Sequence, residues 1–121
     1  MKRIVIVDDD EFIRKTFFLL FSSHYNVYLA RDAAEALARF QQAPVDLIIT
    51  DLRLPQKNGL QMIQEFRRAG YQGKIILITA YAEKIRPEEL DRAGVDMLFV
   101  KPLDLKLINE TVDKLLLNGQ P

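Results

Sequence analysis

Five short apolar runs, separated by amphipathic stretches, constrain this chain more than any other feature. They are Ile4–Val7, Asn26–Ala30, Asp46–Thr50, Lys74–Ile78 and Asp96–Val100. Runs this short, without polar alternation, read as parallel strands covered on both faces. Val27-Tyr28-Leu29 is the weakest of the five and suits an edge strand. The intervening stretches carry helical periodicity. Ile13, Thr16, Phe17, Leu20 and Phe21 form one stripe, and Asp32 with Glu35 resembles a capping box leading into Ala33, Ala36, Leu37 and Phe40. Leu60, Ile63 and Phe66 mark a third helix, stopped at Gly70. A short fourth helix is expected from Pro87 to Ala93, ended by Gly94. A fifth starts near Asp104, with Leu105, Ile108, Val112 and Leu115 on its stripe. Strand-then-helix five times over predicts an open, doubly wound α/β domain with right-handed crossovers. Its 121 residues suit one domain.

In such sheets ligands bind beyond the carboxyl ends of the strands. That rule turns the runs into a site. The first ends at Asp8-Asp9, the third at Asp51, the fourth at Thr79 and the fifth at Lys101-Pro102. Three carboxylates, a hydroxyl and an ammonium are thus expected at one rim. Two unit charges about 5 Å apart at an effective dielectric of about 20 repel by roughly 3 kcal/mol. Acids gathered this way need a counter-ion or a helix end to hold them. Oxygen ligands with no His or Cys beside them select a hard cation, and Mg²⁺ keeps several waters beside one or two carboxylates. An Asp carboxylate is also a nucleophile toward phosphoryl groups, and such a transfer is mostly positioning and charge neutralisation. Lys101 supplies a cation, the Thr79 hydroxyl a donor, and small Ala80 leaves room for entry. Asp10 reads as the cap of the first helix rather than a metal ligand. His24, the only histidine, reads as a surface residue.

Other chemistries are excluded or weakened. With 17 basic and 17 acidic residues, nothing favours nucleic acid, which calls for a positive surplus. There is no cysteine, so disulfides, thiolate catalysis and cysteine-bound zinc are out. No Gly-rich loop follows the first strand, which argues against nucleotide binding. Nothing approaches a membrane span or a signal peptide, and the chain reads as soluble and cytoplasmic.

Taken together, "IVIVDDD", "IITDLRLPQKNG", "ILITA" and "FVKP", in this order and spacing, resemble the receiver domain of bacterial two-component response regulators. The resemblance spans about Lys2 to Leu117, so residues 1–121 are expected to be a single receiver domain. It implies a flavodoxin-like sandwich with strand order 2-1-3-4-5. It further implies that Asp51 is the phosphoacceptor, Thr79 the switch hydroxyl and Lys101 the family's lysine. Mg²⁺, or Mn²⁺, would be held by Asp9, Asp51 and the backbone carbonyl of Arg53, with Asp8 acting mainly through metal-bound water. The phosphodonor would be a histidine kinase or a histidine phosphotransfer protein. Arg53 and Tyr81, each two residues beyond a site residue, would flank the mouth with Ala80 and govern loss of the phosphoryl group to water. Where the family often has an inward-swinging aromatic, this chain has Leu98. That leaves a threonine shift with repacking around Leu98, or a weaker coupling. The peptide bond before Pro102 is commonly cis in the family.

Phe18 and Leu19, and with them Phe12, fall off the buried stripe of the first helix. They read either as a docking surface for the kinase or phosphotransfer partner or as isolated exposed apolar residues. The fourth helix, fifth strand and fifth helix are the other candidate surface, used in the family for dimers. The Asn118–Pro121 end looks like a helix stop entering a linker; the sequence is consistent with an output domain beyond it or with a complete single-domain regulator. Two rival functions stand beside this reading: a phosphatase or phosphotransferase using the same aspartyl chemistry, and a phosphate-independent interaction domain. The first usually needs a second acid two residues after the nucleophile, where Arg53 stands. The second leaves the acid, Thr and Lys set unexplained.

Overall fold

The computed structural model describes residues 1–117. Its elements, in order, are β1 (Arg3–Val7), α1 (Glu11–Phe21), β2 (Asn26–Ala30), α2 (Ala33–Gln42), β3 (Leu47–Asp51), α3 (Gly59–Arg68), β4 (Lys74–Thr79), α4 (Pro87–Ala93), β5 (Met97–Val100) and α5 (Leu105–Leu116). The strands form one parallel sheet in the order β2-β1-β3-β4-β5. All five strands and all five helices anticipated from the sequence are present. The end of the chain, expected to be a helix stop and linker, lies outside the described residues.

Ile4, Val5, Val7, Leu47, Ile48, Ile75, Ile76 and Leu77 are wholly buried, because β1, β3 and β4 are covered on both faces. On one face their side chains pack with Ala36, Met62, Ile63, Phe66 and Ala93 from α2, α3 and α4. On the other they meet Phe17, Phe21, Ile108, Val112 and Leu116 from α1 and α5. The weak run Val27–Leu29 is indeed an edge strand. The fifth run departs from expectation. β5 is the opposite edge, and Met97 and Val100 are 41% and 48% exposed. The seven-residue α4 is too short to cover it. Leu105 also departs, at 37% exposed. The buried stripe of α5 runs through Ile108, Thr111, Val112 and Leu116 instead.

Side-chain caps fix where four of the five helices start. Asp10 accepts a hydrogen bond from the Phe12 N–H at 2.8 Å, Asp32 from the Glu35 N–H at 2.9 Å, and Asp104 from the Leu107 N–H at 3.1 Å. The Asp32–Glu35 box is not reciprocal. The Glu35 carboxylate accepts instead from the N–H and guanidinium of Arg31, one residue before the cap. The reciprocal box is at Asn58 and Gln61. Arg67 fastens the far end of α4. Its guanidinium donates to the carbonyls of Ala93 at 3.1 Å, Gly94 at 2.8 Å, and Tyr71 and Gly73 at 3.0 Å each.

Candidate functional site

Strand register assembles the site. Val7 pairs with Thr50, so the next residues, Asp8 and Asp51, leave the sheet side by side at the switch between β1 and β3. Asp51 pairs with Ile78, and Thr79 with Val100. Thr79 and Lys101 therefore emerge beside them. Asp51 is 7% exposed, Asp8 2% and Thr79 fully buried. Asp9 and Ala80 lie on the exposed rim.

Both carboxylate oxygens of Asp51 are engaged. Oδ1 accepts from the Arg53 N–H at 3.0 Å, and Oδ2 accepts from the Lys101 ammonium at 3.0 Å. The loop behind it is held by close contact. A Cβ on Gly59 would lie 2.3 Å from the Asp51 carbonyl oxygen. In addition, the Gly59 N–H donates to the Leu52 carbonyl at 2.7 Å. Only glycine lets α3 start this near the end of β3. The Lys101–Pro102 peptide bond is cis.

Asp8 has its N–H on the Ala30 carbonyl at 3.1 Å, and its Oδ1 accepts from the Asp10 N–H at 2.9 Å. Burial pushes its carboxyl up to about 6. The Asp51 charge and a shared hydrogen bond add to that, against the opposing pull of the Asp10 N–H and of Lys101. For Lys101, burial works downward, but the hydrogen bond and charge of Asp51 outweigh it, with Asp8 and Asp10 behind, and the ammonium is held above its usual value. The rim therefore keeps a fixed cation against a carboxylate pair that shares its charge poorly.

The chemistry of these donors fits a hard divalent cation. The Asp8 and Asp51 carboxylates stand close enough for the charge of Asp51 to raise the pKa of Asp8, and no His or Cys stands among them. Among the described residues no three His, Cys, Asp or Glu side chains already form a chelating group. A magnesium site needs none, since water completes its octahedron.

At the mouth, the Arg53 guanidinium lies 5.1 Å over the Tyr81 ring and the Lys84 ammonium 5.2 Å from the same centroid. The Tyr81 N–H donates to the Thr79 hydroxyl oxygen at 2.9 Å. Leu98 is half-buried and packs against the α2–α3–α4 side of the core. Phe12, Phe18 and Leu19 are exposed by 74%, 41% and 78%, and His24 is exposed.

Sequence reasoning passed over Arg14 and Lys84. The Arg14 guanidinium donates to the Asp8 carbonyl at 2.7 Å. The sequence hint was a cation beside the apolar stripe of α1.

A receiver-type phosphoacceptor module is what this fold and rim define. A model of the response regulator receiver domain matches residues 4–113, and the chain belongs to that family. Members are the signal-receiving domains of two-component systems, not enzymes acting on a separate substrate. The chain is 31% identical to the regulatory protein AtoC of Escherichia coli over 117 residues, covering 96% of this chain and 25% of AtoC. It is 31% identical to the alkaline phosphatase synthesis transcriptional regulatory protein PhoP of Bacillus subtilis, covering 95% of this chain and 48% of PhoP. It thus spans about a quarter to a half of these curated relatives. Among solved structures, the response regulator TrrA of Thermotoga maritima, in complex with Mg²⁺-BeF, has a TM-score of 0.82 and 35% identity over 96% of this chain and all of TrrA. Chemotaxis response regulator CheY4 of Vibrio cholerae has a TM-score of 0.85 and 28% identity, over 96% of this chain and 99% of that one. No helix among the described residues is long and apolar enough to cross a membrane.

Proposed function

We propose that this chain takes a phosphoryl group onto Asp51 from the phosphohistidine of a histidine kinase or histidine phosphotransfer protein, and passes the signal to an output partner by changing conformation. The observation that carries the reading is the pinned Asp51 carboxylate, one oxygen on Lys101 and the other on the Arg53 N–H, with Asp8 beside it. A lone pair on an Asp51 carboxylate oxygen attacks phosphorus while the bond from phosphorus to the donor nitrogen breaks; that nitrogen keeps the bonding pair, and the imidazole, already protonated on its other nitrogen, leaves neutral. Lys101 offsets charge on the transferred group, and the Thr79 hydroxyl donates to one of its oxygens. Asp9, Asp51 and the Arg53 carbonyl would hold Mg²⁺ or Mn²⁺, with Asp8 reaching it through water. The cation, when bound, neutralises phosphoryl oxygens in flight. Residues 1–121 act in this reading as one receiver unit, without contact to nucleic acid of their own and in the cytoplasm. The test is whether acetyl phosphate and Mg²⁺ leave one phosphoryl group on this chain and none on its Asp51→Asn variant.

The phosphoryl group adds about −1.5 to −2 charges at neutral pH. Drawn toward it, Thr79 pulls on the Tyr81 N–H, and so on a ring held by the cations of Arg53 and Lys84. Repacking then passes to Leu98 and α4, and the α4–β5–α5 face, with Met97 and Val100 open, is where a homodimer or output partner would read it. This arrangement also narrows water's path to Asp51. The phosphorylated state of an Arg53→Ala, Tyr81→Ala double variant should therefore decay several-fold faster than that of the parent chain, followed as loss of adduct mass after the donor is removed. Equal half-lives would reject this role.

Phe12, Phe18 and Leu19 lie exposed along α1, the helix that starts at the site, and support a docking role there. Phe18→Ser with Leu19→Ser should slow transfer from a phosphorylated protein donor severalfold while leaving the rate with acetyl phosphate unchanged. Equal slowing with both donors would assign these residues to the fold instead.

A further inference from the structure

The turn between β1 and α1 carries three acids in a row, and its hydrogen bonds treat them unequally. Asp8 is held through its N–H, its carbonyl and its carboxylate, and Asp10 through its N–H, its carbonyl and its carboxylate. Asp9, between them, makes no hydrogen bond among the described residues. Where its carboxylate can reach is therefore decided by the backbone on either side. One residue grips both sides. The Arg14 guanidinium donates to the Asp8 carbonyl at 2.7 Å, and the Arg14 main-chain N–H donates to the Asp10 carbonyl at 3.1 Å. Arg14 is half-buried at the second turn of α1, so the helix itself fixes both ends of that bracket.

We infer that Arg14 is a positioning residue for the cation: it brackets Asp9 and so presets the carboxylate that the proposed function assigns to the metal. The inference rests on that assignment. Charge and geometry predict opposite results here, which makes the claim testable. Arg14 is a cation close to an acid cluster, so by charge alone its removal would tighten Mg²⁺ binding. As a bracket, loss of its guanidinium releases the Asp8 carbonyl, leaving only the main-chain bond to Asp10, and weakens binding, as loss of a residue that orients a metal ligand typically does by about 10- to 100-fold.

The experiment titrates Mg²⁺, with no phosphodonor, into the full chain and its Arg14→Met and Arg14→Lys variants by calorimetry. It also measures hydrogen exchange of the Asp10 amide without metal, using the amides of Ile75–Ile78 in β4 as the folding control. The bracket predicts a Kd for Mg²⁺ raised about tenfold in the Met variant, and raised also in the Lys variant. It predicts faster Asp10 exchange in both, with β4 protection kept. Unchanged or tighter binding in the Met variant overturns it, as does wild-type binding in the Lys variant beside a change in the Met one. Weaker binding without faster Asp10 exchange overturns it too, as does loss of β4 protection. A parent chain that binds no Mg²⁺ removes the metal reading itself, and the titration of that chain alone shows it.

Discussion

Incubated with acetyl phosphate and Mg²⁺, the parent chain is expected to gain a single phosphoryl group by intact mass, and the Asp51→Asn variant none. The bond formed runs from a carboxylate oxygen of Asp51 to phosphorus, and the bond broken joins phosphorus to the acetate oxygen, so acetate leaves with its electron pair. An amide in the same place has no second anionic oxygen to attack with. It can still accept from the Arg53 N–H or the Lys101 ammonium, so the loss should be complete while the fold persists. The adduct should survive acid and be lost in alkali, as an acyl phosphate is. A chelator present with the donor should suppress it. An adduct of equal yield on the Asn variant would move the acceptor elsewhere and remove the reading. Steady release of phosphate from a monoester would favour the enzymatic alternative.

The second large effect is on stability. Asp8→Asn should make the metal-free protein more stable at neutral pH, and less so as the pH falls. The folded Asp8 carboxyl sits at about 6, above its ordinary value of 3.8. A group whose folded pKa is raised contributes stability that is fully present below the unfolded pKa and is lost as pH rises through the folded one. Between about pH 4 and pH 6 the parent chain therefore loses stability through this group. A displacement of that size corresponds to at most about 3 kcal/mol. Asn keeps an oxygen for the Asp10 N–H and carries no charge to desolvate. Urea unfolding in a chelator at pH 7 should give the Asn variant the higher midpoint, with the two curves drawing together by pH 4. Added Mg²⁺ should stabilise the parent chain more than the variant, which keeps the direct ligands but loses the charge behind the metal-bound water. A variant less stable than its parent at pH 7 would mean that Asp8 is held in the fold by more than its charge costs.

The rim was legible in the sequence because strand ends announce themselves. An apolar run that stops on Asp51, Thr79 or Lys101 identifies which side chain leaves the sheet and at which end. The parallel order then brings these residues together, since Val7 opposite Thr50 sets Asp8 beside Asp51. What the sequence concealed depends on main-chain partners or on the length of a neighbour. The Arg14 bracket ends on two carbonyls, which have no residue-type signature. The openness of Met97 and Val100 follows from how little of β5 a two-turn helix can shade. Glu35 had two amides within reach and took that of Arg31, where the guanidinium adds charge-assisted bonds. The box at Asn58 and Gln61 was readable as Asn-x-x-Gln but lay inside the loop that carries the Asp51 motif.

Arg67 gives α4 unequal ends. Its guanidinium bolts the carbonyls of Ala93 and Gly94 to the turn before β4, while the first turn, at Pro87, is held by one exposed side-chain bond, from the Arg86 N–H to the Glu89 carboxylate at 3.1 Å. A rod bolted at one tip and lightly held at the other behaves as a lever with its pivot at Gly94. A small displacement of the segment after Thr79 is taken up at the lightly held tip, where travel is greatest.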